Sequence, residues 1–228
     1  MAGPCSGLTV LDFSWGMPGT LATTVLADFG AEVIKVEPPT GDPFRSHPSW
    51  LAWNRGKKSI ILDLETSEGR EYAQALARRA DVIVESLRPG ESQRIGIDYE
   101  TLSRINPRLV YCSVTGFGQK GRLKNLKDYE GIIAAKCGRM STWGGQLDRP
   151  GPVYAAVQTA TWAASQGAVR GILGALRLRD RLGRGQWVQT SVLQGMIPYY
   201  GGRQISTFFA RKDPARFPPV SPNAQTQP

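Results

Sequence analysis

The sequence predicts an α/β protein built on a doubly wound parallel sheet. Three observations indicate this class. β-prone runs alternate with helical patterns along the chain, turns rich in glycine and proline separate them, and the first two β-prone runs stand far enough apart for a helical crossover. In such a sheet we expect ligands at the carboxyl ends of the strands.

The first crossover unit lies near the start of the chain. Residues 8–13 (LTVLDF) alternate and are β-prone, and residues 20–29 have the pattern of a helix. Gly30 is placed to end that helix as its C′ residue. Residues 32–36 (EVIKV) then form the second predicted strand.

The later elements repeat this pattern. Further strands are predicted at 59–64, 82–85, 109–114 and 186–191, and further helices at 67–79, 99–105, 129–139 and 155–181. Thr66 is a suitable N-cap for the helix that follows it. The 155–181 helix is rich in alanine and glycine, which permits a neighbouring element to approach closely.

We predict one domain at residues 1–205, followed by a linker at 206–228. The segment from Lys212 onward is rich in proline and poor in hydrophobic residues, which is typical of an extended linker. Residues 142–151 (TWGGQLDRPG) have the composition of an internal linker.

Composition narrows the classes of partner. Lys and Arg total 28 against 19 Asp and Glu, a net charge of +9, which favours an anionic partner. The basic residues are spread out with no run of five or six, which argues against nucleic acid and membrane surfaces. The sequence contains no apolar run of the roughly 18 residues that a membrane span needs, and its N-terminus does not resemble a secretory signal. We therefore expect a cytoplasmic protein whose partner is a phosphate-rich small molecule.

Cysteine and histidine usage limits the chemistry. Cys5, Cys112 and Cys137 are odd in number and widely separated, which argues against a disulfide framework and against a clustered metal site. His47 is the only histidine, so a Ser-His-Asp triad has at most one candidate base. No metal is expected.

Two segments have the composition of anion-binding loops. Residues 13–19 (FSWGMPG) follow the first strand but lack the G-x-G-x-x-G spacing, so on their own they predict only a strand-to-helix turn. Residues 54–59 (NRGKKS) place three cations and a glycine before a strand, an arrangement suited to a diphosphate. On charge alone, a solvated basic loop is the simpler interpretation.

Five blocks, in this order, carry a family resemblance: LDFSWGMPGTLATTVLADFGAEVIKVEPPTGDPFR, WNRGKKSIILDLETSEGR, ADVIVESLRPG, INPRLVYCSVTGFG and LRDRLGRGQWVQTSVLQG. Together they resemble the class III CoA-transferases, which include formyl-CoA and carnitine-type transferases and related acyl-CoA racemases. The resemblance implies a Rossmann-like large domain, a smaller second domain that is missing here, and two chains interlocked as a dimer.

The resemblance also implies a site for coenzyme A (CoA) or acyl-CoA. The positions that match CoA contacts in the family are Trp15, Gly16, Met17, Leu62, Ser86, Leu87, Arg94 and Lys127. The two cations would pair with the phosphates, and Leu62 would contact the adenine. Trp15 stands where a His or Arg is common, and Ser86 where an Asn usually follows Val-Glu.

The family's nucleophile is an aspartate that attacks the acyl-CoA thioester to form a mixed anhydride. Counting back without a gap from the GRGQ motif at 183–186, its position here is Thr161, and no Asp lies between Asp148 and Asp180. A shift of the alignment by a few residues would place Gln158 or Thr159 there instead, and neither is a carboxylate. A hydroxyl would form an ordinary ester that CoA does not easily recapture. The sequence therefore leaves two hypotheses: pairing with a catalytically intact CoA-transferase domain that supplies the aspartate, or a non-catalytic CoA-binding or scaffold protein.

Overall fold

An all-parallel sheet of six strands organises the computed structural model, which describes residues 3–142, 151–198 and 209–216. The strands are β1 (Thr9–Phe13), β2 (Glu32–Glu37), β3 (Lys57–Ile61), β4 (Val82–Glu85), β5 (Val110–Thr115) and β6 (Trp187–Ser191). Their order across the sheet is 3-2-1-4-5-6. The strand order therefore reverses between β1 and β4, which confirms the predicted doubly wound class.

Helices cover both faces of this sheet. In the described residues they are α1 (Met17–Asp28), α2 (Trp50–Trp53), α3 (Ser67–Ala77), α4 (Glu91–Arg94), α5 (Tyr99–Ile105), α6 (Glu130–Lys136), α7 (Arg139–Thr142), α8 (Thr159–Leu182) and α9 (Val192–Gly195). None of the helices in these ranges is long and apolar enough to cross a membrane.

The predicted helix boundaries hold where local signals are strong. The Thr66 side chain accepts a hydrogen bond from the Gly69 amide at 3.0 Å, which confirms the predicted cap of α3. Gly30 follows the C-cap of α1 with a φ of +96°, as expected of a C′ glycine. By contrast, α1 begins three residues earlier than predicted, because Pro18 fits the first turn of a helix rather than breaking it.

Other predictions differ from the structure or fall outside it. The single helix predicted at 129–139 is two helices, α6 and α7, separated by Gly138 at a φ of +77°. The four-residue helices α2, α4 and α9 were not predicted. Most of the proposed internal linker (143–150), and the proposed tail apart from 209–216, lie outside the described residues.

Two apolar layers pack against the sheet. On one face, buried alanines of α8 and residues of α1 contact strand residues such as Val84 and Val110. On the other face, α3 and α5 cover Leu11, Ile83 and Tyr111. A Cβ at Gly171 in α8 would lie 2.6 Å from the Val188 side chain, so the small residues of α8 do permit the close approach expected from the sequence.

Candidate functional site

A cleft of about 760 Å³ opens at the carboxyl ends of the strands. It is lined by the segments that follow β1, β2, β3 and β4, together with the starts of α6 and α8. The segments after β1 and β4 both line it, and the strand order reverses between these two strands, which is the usual ligand site of an open α/β sheet. The volume falls within the range of about 300–1,000 Å³ typical of small-molecule sites.

Two hydrogen bonds join the turn after β1 to the segment after β4, across the point where the strand order reverses. The Trp15 amide donates to the Ser86 hydroxyl oxygen at 2.9 Å, and the Ser86 hydroxyl donates to the Trp15 carbonyl at 3.0 Å. Gly16 has a φ of +69°, a left-handed conformation that glycine adopts most readily. These contacts hold the backbone of Trp15 and Gly16 in a fixed position at the wall of the cleft.

A buried ion pair supports the same turn from beneath. The Asp12 carboxylate accepts hydrogen bonds from the Ser14 amide at 2.9 Å and the Lys57 ammonium at 2.8 Å. The Lys35 ammonium donates to the Ser14 carbonyl at 2.8 Å. Burial alone would raise the pKa of Asp12, but the ammonium groups of Lys57 and Lys35 hold it well below its usual range. Asp12 is therefore a structural anion and not an acid or base.

The same contacts withdraw Lys57 from the three cations that residues 54–59 could offer to a diphosphate. Lys57 is buried and bonded to Asp12. At the surface, Arg55 pairs with Asp28, and Lys58 pairs with Glu32. The solvated-loop interpretation is also wrong for Lys57, whose side chain is 2% exposed.

Most of the predicted CoA-binding residues line the cleft. These are Trp15, Gly16, Met17, Leu62, Ser86 and Leu87. Arg94 and Lys127 do not line it, although each lies next to a residue that does. The structure thus brings six of the eight positions together at one surface.

Arg94 lies at the rim of the cleft. It donates to Glu65 at 2.7 Å and to Glu91 at 2.6 Å, and both of these glutamates line the cleft. Hydrogen bonding to Arg94 lowers the pKa of Glu65. To bind a phosphate, Arg94 would have to exchange these carboxylates for phosphate oxygens. Lys127 is exposed and immediately precedes Asp128, another lining residue.

Thr161, the residue at the expected nucleophile position, lies in the first turn of α8 and faces the cleft. The buried Glu130 carboxylate accepts hydrogen bonds from the amides of Ala160 and Thr161, both at 3.0 Å. The Thr161 hydroxyl donates to it as well, at 2.9 Å. Glu130 therefore caps α8 from outside that helix, and it places a carboxylate at the cleft.

Glu85 is a second buried carboxyl group close to the cleft. It ends β4 and accepts a hydrogen bond from the Leu87 amide at 2.7 Å. Burial raises its pKa to about 7, partly offset by hydrogen bonds from Ser113 and the Leu87 amide. Glu85 thereby holds the backbone on which Ser86 and Leu87 face the cleft.

Sequence reasoning missed both of these glutamates as site residues, because strand ends and helix starts ordinarily place carboxylates in capping or solvated positions. For Glu85 a usable signal exists: it directly continues the apolar run VIV of a strand buried on both faces. For Glu130 the sequence carries no such signal, because its partner lies 31 residues away.

Burial limits the reactivity of two of the three cysteine thiols. Cys5 and Cys112 are buried, and burial raises the pKa of both thiols, which makes them poor nucleophiles. Within residues 3–142, 151–198 and 209–216, no group of three or more His, Cys, Asp or Glu side chains could hold a metal ion.

Comparison with known sequences identifies the family. The profile of CoA-transferase family III matches residues 5–226. The acetyl-CoA:oxalate CoA-transferase of Acetobacter aceti is 35% identical over 223 residues, covering 94% of this chain and 57% of that enzyme. The succinate–glutarate CoA-transferase of Agrobacterium fabrum is 34% identical, covering 96% and 58%. The chain thus spans little more than half the length of these relatives.

Comparison with solved structures agrees. The protein Rv3272 of Mycobacterium tuberculosis matches with a TM-score of 0.86 and 31% identity, covering 91% of this chain and 58% of that one. A CAIB/BAIF family protein from Brucella suis matches with a TM-score of 0.84 and 33% identity, covering 92% and 59%. The sheet and its helices are therefore those found in these structures.

Proposed function

The chain belongs to CoA-transferase family III, and we propose on this basis that it binds CoA or acyl-CoA as part of an acyl-CoA:carboxylate CoA-transferase whose nucleophilic aspartate comes from another domain or subunit. The observation that carries the proposal is the cleft at the reversal of strand order, with six of the eight expected CoA-binding positions on its surface.

The reaction requires a carboxylate nucleophile. This carboxylate attacks the thioester carbonyl, the carbon–sulfur bond breaks, and CoA leaves as the thiolate while a mixed anhydride forms. The thiolate then attacks the enzyme's acyl carbon, which releases the donor carboxylate and leaves an enzyme–CoA thioester. The acceptor carboxylate and CoA repeat these steps in reverse to give the new acyl-CoA.

Neither polar group at the start of α8 suits the nucleophilic role. The Thr161 hydroxyl would give an ester, which CoA does not easily recapture. The Glu130 carboxylate accepts three hydrogen bonds from Ala160 and Thr161, which stabilise it as an anion and lower its nucleophilicity. A partner CoA-transferase domain that retains the aspartate, in another part of the same protein or in another subunit, supplies the missing group.

A non-catalytic CoA-binding or scaffold protein is the alternative. The capping role of Glu130 favours it, because a carboxylate used to hold the fold is not available for chemistry. Family membership by itself does not select a substrate, since the relatives are named for different acyl groups.

Calorimetric titration of the chain with CoA and acetyl-CoA tests the binding site. We expect Arg94→Ala and Lys127→Ala each to weaken binding about tenfold, because each removes a cation that would pair with a phosphate of CoA. Arg177→Ala, at an exposed position of α8 outside the cleft, is the matched control. A folded chain that does not bind CoA would overturn the proposal.

Intact-mass spectrometry after incubation with acyl-CoA tests the origin of the aspartate. The chain alone should acquire neither an acyl group nor CoA, because Thr161 stands at the nucleophile position and the Glu130 carboxylate beside it is held by three hydrogen bonds. A hydroxylamine-sensitive adduct on the isolated chain would show that one of its own carboxylates performs the reaction.

A further inference from the structure

The edge of the sheet opposite the cleft is where the strands begin. Because all six strands are parallel, the helices that lead into them end at this edge. Three such junctions lie side by side there: residues 77–81 lead from α3 into β4, residues 104–110 from α5 into β5, and residues 177–186 from α8 into β6.

Hydrogen bonds join these three junctions to one another. The Asn106 side-chain amide donates to the Ala80 carbonyl at 2.8 Å, which links the second junction to the first. The Gly185 amide donates to the Pro107 carbonyl at 2.9 Å, which links the third junction to the second. The three junctions therefore form one continuous surface.

Arginine dominates this surface. The three junctions carry seven exposed arginines, which we call the arginine edge: Arg78, Arg79, Arg104, Arg108, Arg177, Arg181 and Arg184. The same residues include one exposed acid, Asp180. Their other acid, the half-buried Asp81, pairs with the buried Arg179 at 2.9 Å. Positive charge at this surface is therefore largely unopposed.

The arginine edge differs from the neighbouring part of the same sheet edge. Where β2 and β3 begin, exposed cations are neutralised within the chain. Arg55 pairs with Asp28. Lys58 pairs with Glu32. In contrast, no member of the arginine edge forms a salt bridge with a side chain in the described ranges. Clustered cations of this kind attract an anionic partner.

Exposed leucines accompany the arginines on α8. The side chains of Leu178 and Leu182 are 37% and 55% exposed. Residues four apart on a helix are neighbours, so these leucines form a row beside the row of Arg177 and Arg181. A surface that combines cations with exposed hydrocarbon matches an anionic bilayer, which offers charged headgroups above acyl chains.

The composition of the three junctions favours lipid over nucleic acid. Residues 77–81, 104–110 and 177–186 contain no aromatic side chain on which a base could stack. The sequence argument against a membrane surface rested on the absence of a run of basic residues. The fold gathers the arginine edge from three separate segments, so a run is not needed.

We propose that the arginine edge binds the surface of a bilayer that contains anionic phospholipids. The arginines contact the headgroup phosphates, while Leu178 and Leu182 enter the boundary between headgroups and acyl chains. This peripheral binding goes beyond the proposed function. Since the edge and the cleft lie at opposite ends of the strands, the cleft of the bound chain opens toward the aqueous phase.

Sedimentation of the full chain with vesicles tests the proposal. One set of vesicles contains phosphatidylcholine alone, and the other replaces about one third of it with phosphatidylglycerol. Partitioning into the anionic vesicles should be stronger by about tenfold or more, and it should weaken as salt is added. Equal partitioning into both sets, or no binding to the anionic set, would overturn the proposal.

Charge reversal assigns the binding to the arginine edge. Arg177→Glu combined with Arg181→Glu should reduce partitioning into anionic vesicles by about tenfold or more. Arg122→Glu combined with Lys124→Glu makes the same change of charge in the exposed loop after β5, at the other end of the strands. This control should reduce partitioning by less than about threefold. Equal losses in the two double variants would show that net charge, and not the edge, is responsible.

A leucine variant and a competitor separate lipid from nucleic acid. Leu182→Ser should weaken vesicle binding about threefold, because less hydrocarbon is buried in the bilayer. Duplex DNA at an equal phosphate concentration should not displace the chain from vesicles. Displacement by DNA, or indifference to Leu182→Ser, would overturn the lipid assignment. Calorimetric titration of the same variants with CoA should be unchanged, so failure of this proposal and failure of the proposed function are seen separately.

Discussion

Buried charges hold the cleft together at the scale of single residues. The side chains of Asp12 and Lys57 are 0% and 2% exposed, and their ion pair lies directly beneath the turn that carries Trp15 and Gly16. A buried charge that loses its partner is strongly destabilising, because neither water nor a counter-ion replaces it. The pair therefore links stability to the shape of the cleft.

Lys57→Met should lower the free energy of unfolding by about 3–5 kcal/mol, because it removes the ion-pair partner of the buried Asp12 carboxylate. Urea denaturation measures the change. Lys58→Met is the matched control, since the neighbouring Lys58 forms an exposed pair with Glu32, and its effect should stay below about 1 kcal/mol. Equal effects of the two variants would contradict the role assigned to Lys57.

Glu85 should make stability fall as pH rises. Its pKa in the unfolded chain is about 4.3, whereas burial raises the folded pKa to about 7. Between these values the unfolded state loses the proton first, so ionisation favours unfolding until the folded state also ionises. Glu85→Gln removes this effect. Relative to the unmodified chain, the variant should gain about 2–3 kcal/mol between pH 5 and pH 8. Denaturation curves at the two pH values check this, and a pH-independent difference would show that Glu85 does not titrate in this range.

Sequence reasoning at the residue scale succeeded where the interaction is local. Thr66 and Gly69 are three residues apart, so a cap is visible in the pattern. Glu130 and Thr161 are 31 residues apart and meet only through the fold. The sequence placed a threonine at the nucleophile position, but it could not show that a carboxylate binds it there.

At the scale of elements, the periodic segments were predicted and the short ones were not. β4 and α5 occur at the predicted residues, because an apolar run and an Asp98 cap mark them. Helices of four residues, such as α2 and α9, are too short to show a helical period. Lys57 and Lys58 belong to β3 and not to the loop before it, since pairing with β2 extends the strand backward.

Close packing of α9 against α8 positions the start of α8. A Cβ at Gly195 would lie 2.7 Å from the Ala164 backbone nitrogen. Cβ atoms in proteins essentially never come this close to another heavy atom. Gly195→Ala should therefore destabilise the chain by about 1–3 kcal/mol through overpacking.

Gly174→Ala is the matched control in the same region. Gly174 lies within α8 with open space around it, so alanine there should stabilise by about 0.5–1 kcal/mol through its higher helix propensity. Thermal denaturation should shift in opposite directions for the two variants. A shift of the same sign in both would contradict the packing described for α9.

At the scale of the whole molecule, the sequence predicted a sheet with its site at the carboxyl ends of the strands. It did not predict which strands are neighbours, because strand order depends on contacts between distant segments. The observed order 3-2-1-4-5-6 brings the segments after β1 and β4 together. This placement brings Trp15 and Ser86, which are 71 positions apart in the sequence, into hydrogen-bonding contact. Residues of separate family motifs therefore lie together at one surface.

The most direct test of this account is hydrogen–deuterium exchange of the chain with and without saturating CoA. The account predicts slower exchange in peptides that cover residues 14–19 and 86–88, where the two segments meet. Peptides from the far end of α8, around Arg179, should not change. Protection confined to regions outside the cleft, or no change on addition of CoA, would contradict a CoA site at the reversal of strand order.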